Sequence, residues 1–108
     1  MTGTQTDRIR SLNDQARQTF TGCRVMITPG IQALTEIDAV MRAVQAFDDF
    51  APDNDPFGEH DFGSFHLADA HMFWRFDYFD LDLSMHSPDP SDPTVTTRVL
   101  TVMLAEEY

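Results

Sequence analysis

The apolar positions change period along the chain, and each period predicts a different element. Ile9, Leu12, Ala16 and Phe20 recur at helical spacing behind Thr6, among Arg, Asn, Asp and Gln that suit a wet outer face. This predicts a first helix with Thr6 as its N-cap. After Gly22 the run from Cys23 to Thr28 is short, partly β-branched and closed by Pro29-Gly30, which predicts a strand. Thr35 with Asp38 approximates a capping box, and Ile37, Val40, Met41, Val44 and Phe47 form a second helical stripe. That helix should end around Asp48 to Phe50, because Pro52 disfavours a helical Ala51.

From Pro52 to Asp61, prolines, a glycine and acids predict an ordered loop. The period then becomes two. Phe65 and Leu67, a turn at Ala68-Asp69-Ala70, and Met72, Trp74, Phe76 and Tyr78 predict an antiparallel hairpin. Phe73 and Phe79 fall on its nominally polar face, so that face is expected to be covered by a helix or a partner. Leu81, Leu83 and Met85 alternate and suggest a short further strand. Asp92-Pro93 reads as a helix start, with Val95, Val99, Leu100, Met103 and Leu104 on the stripe of a last helix. The expected class is α+β: three helices packed on a small antiparallel sheet of three to four strands. A chain of 108 residues with 42% hydrophobic content fits one domain, 1–108, with a single core.

Charge alters the functional picture. Seven basic residues, all Arg, stand against 18 acids, a formal net charge of -11. Residues 48–92 hold 12 of those acids and only Arg75, so the excess sits where Pro, Asp and Gly concentrate. Direct binding to nucleic acid or to an anionic membrane is disfavoured, and the expected partner surface is basic. Cys23 is the lone cysteine, and the first 20 residues carry no apolar run. Neither a disulfide-stapled secreted fold nor membrane insertion is expected, and the expected location is cytoplasmic.

Candidate chemistry is sparse. Asp53, Asp55 and Gly58 fit an EF-hand register at its first, third and sixth positions, but Phe57 and Ser64 occupy the fifth and twelfth, where oxygen ligands are needed. Glu59, His60, His66 and His71 lie close in sequence without a zinc-ligand spacing. Asp77, Asp80 and Asp82, the pair Glu59 and Asp61, and Tyr78 as a proton donor offer acid-base groups, yet no nucleophile or phosphate motif accompanies them. No metal or cofactor is expected. The acid excess itself carries the reading: an acidic protein-binding module that mimics nucleic acid and inhibits a DNA-binding protein. Its binding residues would be Asp48, Asp49, Asp53, Asp55, Glu59, Asp61, Asp77, Asp80 and Asp82. A rigid array of carboxylates at phosphate-like spacing would satisfy the Arg and Lys groove of such a partner. The alternative is a small metal-dependent or acid-base enzyme built around His60, His66, Asp77 and Asp80.

The segment FDDFAPDNDPFGEHDFGSF, then FDYFDLDL, SPDPSDP and TRVLTVMLAEEY, together with NDQARQTFTG before the first strand, resembles the bacterial family known as domain of unknown function 3768. The resemblance runs from about Leu12 to Tyr108. It implies a bacterial origin and a self-contained domain, it assigns no catalytic residue, and it directs the inhibitor reading to a bacterial DNA-binding or nuclease defence complex.

Overall fold

The computed structural model describes residues 4–108. A first helix, α1 (Gln5–Thr19), leads to strand β1 (Arg24–Ile27), a one-turn helix α2 (Pro29–Gln32) and helix α3 (Ile37–Ala46). Three strands follow, β2 (Phe62–Leu67), β3 (Ala70–Phe79) and β4 (Thr97–Leu104), and a terminal 3-10 turn spans Ala105–Glu107. The strands form one four-stranded sheet in the order β1-β4-β3-β2. The protein is a mixed α+β fold with three helices and a mixed sheet: β2–β3 and β3–β4 are antiparallel, whereas β1 runs parallel to β4. The wholly antiparallel sheet expected from the sequence is therefore corrected at β1. Parallel pairing there requires a crossover, and the chain between β1 and β4 supplies it.

The last helix expected from Val95 to Leu104 is instead β4, the inner strand that links β1 to β3. The segment satisfies two periods at once. Val95, Val99 and Met103 repeat at helical spacing, but Arg98, Leu100 and Val102 alternate as buried positions, and the β-branched Thr97, Val99, Thr101 and Val102 favour the pleated state. Asp92 does not cap a helix; its carboxylate accepts from the backbone N–H and hydroxyl of Thr94 in a local turn. Leu81, Leu83 and Met85 form no strand and are exposed, with Leu83 at φ 61 in a turn and a lone bridge joining Phe79 to His86.

The two longer helices start elsewhere than expected. α1 is capped by Thr4, whose hydroxyl accepts from the Asp7 N–H while the Asp7 carboxylate accepts from the Thr4 N–H. α3 begins at Ile37 after Glu36, with no side-chain cap from Thr35. The hairpin forms where it is expected, with its turn one residue shorter because Ala70 already belongs to β3: His66 faces His71 and Leu67 faces Ala70, with Ala68 and Asp69 both at positive φ, the conformation of a type I′ turn.

Trp74, Met72, Leu100, Val102, Ile31, Val40 and Val44 are all fully buried and, with Ala16 and Phe76, make one cluster fed by every helix and by β3 and β4. Gly63 sits opposite Trp74 across β2 and β3, and a Cβ there would lie 2.2 Å from the indole Nε1. The missing side chain makes the slot in which the indole lies. The opposite sheet face carries Phe73, Arg75, Asp77 and Phe79, directly across from Met103, Thr101, Val99 and Thr97. Phe73 there packs against Phe62 and Tyr108, with ring centroids 5.0 and 5.4 Å away.

Candidate functional site

The acidic segment leaves α3 at Phe47 and reaches β2 at Phe62, and α1 holds it. Arg10 donates to the Gly58 carbonyl, Asn13 donates to the Glu59 carbonyl at 3.0 Å, and Asp14 accepts from His60 Nδ1 at 2.8 Å. Because an ionised carboxylate only accepts, Nδ1 carries the proton. The His60 ring lies flat on Phe50, its centroid 3.6 Å from that ring, and its Nε2 is 3.5 Å from the Asp55 carboxylate. His60 adopts φ 53, and Asp55 also accepts the His60 backbone N–H. A histidine fixed this way is a strut: one ring nitrogen is spent on Asp14, the other faces Asp55, and Phe50 covers a face.

Two buried polar side chains of α1 complete the frame. Arg17 is 1% exposed; its Nη1 donates to the carbonyls of Val44, Gln45 and Phe47 and its Nη2 to Asp14. It thereby bonds carbonyls at the C-terminal end of α3, among them that of Val44, which also accepts the Phe47 N–H. Its guanidinium also lies over the rings of Phe50 and Trp74. Asn13, fully buried, accepts from Arg98 Nε and donates to the Tyr78 hydroxyl, which in turn donates to Glu59 at 2.9 Å. Burial is the main reason the Tyr78 hydroxyl holds its proton far above the usual phenol range.

The sequence reading placed Asn13 and Arg17 on a wet face. Their spacing contained the correction, since Ile9, Asn13 and Arg17 are four apart and form one side of α1. Arg98 was missed because it sat in an expected helix rather than among buried alternating positions of a strand.

The nine candidate acids divide by what they touch. Asp48, Asp49, Asp53 and Asp82 are exposed. Asp55 and Glu59 are bound into the frame just described. Asp61 is half-buried, and its carboxyl is pushed above the ordinary aspartate value by burial, then by the nearby charges of Glu59, Asp55 and Asp77. Asp77, on the opposite sheet face, accepts from Arg75 at 3.1 Å. Asp80 turns into its own loop and accepts from the backbone N–H groups of Ser84 and Met85, which hold its carboxyl below the ordinary value. Asp55, Glu59, Asp61 and Asp77 are thus brought within electrostatic reach of one another. Among the described residues, Asp77 is the one candidate paired with an arginine, which leaves eight without such a partner.

The raised carboxyl of Asp61 has a testable sign. A folded-state value above 3.8 costs stability fully above the raised value and not at all below 3.8. Asp61→Asn is therefore expected to raise the thermal midpoint at pH 7, with the gain shrinking as pH falls toward 3.8. Thermal melts of both proteins across that range check it.

Two residues of the alternative enzyme reading, His66 and Asp77, stand far apart on the hairpin. His66 stacks on His71 at the turn end of the hairpin, with ring centroids 4.3 Å apart. Asp77 lies six residues farther along β3, roughly 20 Å at the usual rise per strand residue. Among the described residues no group of three or more His, Cys, Asp or Glu is arranged to hold a metal ion, and no helix is long and apolar enough to cross a membrane.

Comparison with known proteins adds a family. No curated protein and no solved structure matches the chain. The model of a family described as protein of unknown function (DUF3768) matches residues 27–107. The match covers β1's last residue through the terminal turn, so α1 and the NDQARQTFTG stretch lie outside it. With most of its length matched, the chain belongs to the DUF3768 family of proteins of unknown function.

Proposed function

We propose that the chain is an acidic protein-binding module whose segment 48–61 and loop 80–86 dock on a basic surface of a partner protein. The observation that carries this reading is the set of eight candidate carboxylates without an arginine partner. A purely solvating acid set needs no fixed geometry, whereas Asp55 and Asp80 are each held by backbone N–H groups. Groups ordered before binding lose little entropy on docking. Exposed apolar side chains stand among the acids: Phe57 is 73% exposed beside Asp55 and Glu59, and Leu81 and Met85 flank Asp82 at 61% and 71%. Aromatic side chains and Met are enriched at the cores of protein interfaces, with polar groups at the rim.

The partner class we favour is a nucleic-acid-binding protein, including a nuclease complex, because its groove already selects closely spaced negative charge. Occupation of that groove would inhibit it. The test is to capture the partner with the intact chain and measure its affinity for two variants. Asp48→Asn, Asp49→Asn and Asp53→Asn together leave the fold intact, since all three are exposed. They are expected to slow association and to weaken affinity about tenfold through lost steering. Phe57→Ser is expected to speed dissociation instead. An affinity unchanged in both variants would remove this segment from the interface and the reading with it.

A further inference from the structure

Apart from the acidic segment, the molecule holds a cleft of about 220 Å³ between α1, the turn before β1 and the segment before β4. Arg98, only 3% exposed, is one of the residues that line it. Leu12, Ala16 and Pro93 line it with carbon, and Gln15 and Thr21 stand at its exposed rim. Arg98 spends Nε on Asn13 and Nη2 on the Pro90 carbonyl, and its guanidinium lies over the Tyr78 ring at 5.3 Å. Among the described residues Nη1 makes no hydrogen bond yet keeps access to solvent, and no carboxylate lies within 4.0 Å of the guanidinium.

A desolvated guanidinium normally sits in a bidentate pair with an anion, because its fork of donors matches a carboxylate. Here the protein supplies neutral oxygens only, in a chain with 18 acidic residues to choose from. Glu59 is the nearest acid in the network, and Tyr78 and Asn13 stand between it and Arg98. Burial holds Arg98 below the ordinary arginine value, as expected of a cation removed from water without full compensation. We propose that this cleft binds a small molecule bearing one carboxylate, with the carboxylate on Arg98 Nη1 and a short apolar body against Leu12, Ala16 and Pro93.

Size and charge narrow the class. A volume of about 220 Å³ is below the usual range for drug-sized ligands, so the occupant is a small acid. A dianion such as phosphate would be repelled more strongly than a monocarboxylate by a protein of net charge -11. The Gln15 carboxamide, exposed and without a hydrogen-bond partner among the described residues, lines the same cleft and is the side chain we assign to the second carboxylate oxygen.

The experiment titrates the intact ¹⁵N-labelled chain with sodium butyrate, with sodium phosphate and with sodium chloride at matched ionic strength. Butyrate is expected to move the Arg98 Nε and the Thr21 and Gly22 amide resonances along saturable curves. Gln15→Ala, at an exposed position, is expected to weaken butyrate about fivefold, the worth of one hydrogen bond. Thr21→Trp, also exposed, fills the rim and is expected to abolish the response. Arg98→Lys loses the fork and is expected to weaken binding tenfold or more; the two rim variants keep the test decisive even if that protein does not fold. Equal shifts with sodium chloride, tighter binding of phosphate than butyrate, or a butyrate response that survives Thr21→Trp would each overturn the proposal.

Discussion

Trp74→Ala is expected to lose about 4 kcal/mol of unfolding free energy, the usual cost of deleting a fully buried aromatic ring. Trp74 has no exposed surface and meets Phe47, Phe50 and Phe76 edge to face at centroid distances of 5.4, 6.1 and 6.0 Å. Against a total of about 5–15 kcal/mol for a domain of this size, the loss is large enough to populate unfolded chain at moderate denaturant. Chemical denaturation followed by circular dichroism checks it. The reverse change has the same origin: Gly63→Ala places a Cβ against the indole and should also destabilise, by overpacking.

Arg17→Met is expected to cost about 3 kcal/mol, although its apolar stem keeps much of the packing. The loss comes from three carbonyls at the end of α3 and from Asp14, all of which surrender a charged donor in a place that water does not reach freely. Arg17→Lys is not expected to rescue it, since one ammonium cannot replace the planar fork that bridges α3 and Asp14. Because α1 and α3 are joined here, amide exchange should rise first in α3 and in the segment 48–61. A stability loss below about 0.5 kcal/mol would show that these hydrogen bonds are replaced by solvent.

Much of the fold was legible in local pattern. The α3 stripe from Ile37 to Val44 and the alternation from Phe65 to Tyr78 each satisfy one period only, and both elements stand where that period puts them. The segment Thr97–Leu104 satisfies two, and only the strands on either side decide between them. Local reading could not contain that information. The polar frame was hidden for a related reason: Asn13, Arg17 and Arg98 are tolerated inside because groups on other elements, up to 85 residues away, bond to them. An arginine alone in sequence reads as solvated, and its burial becomes reasonable only when α3, Pro90 and Asn13 are in place. The acids were visible as composition, but their division into exposed, framed and self-capping groups follows from hydrogen bonds that composition does not encode.

The central claim, that the uncompensated acids of segment 48–61 bind a basic protein surface, is tested most directly by the salt dependence of association with the captured partner. Association rate and affinity would be measured by surface plasmon resonance from low to high sodium chloride. The account predicts a steep fall in association rate as the Debye length shrinks from roughly 30 Å at 0.01 M to 3 Å at 1 M, with dissociation much less affected. An association rate and affinity that stay flat across that range would contradict it and assign the contact to apolar surface instead.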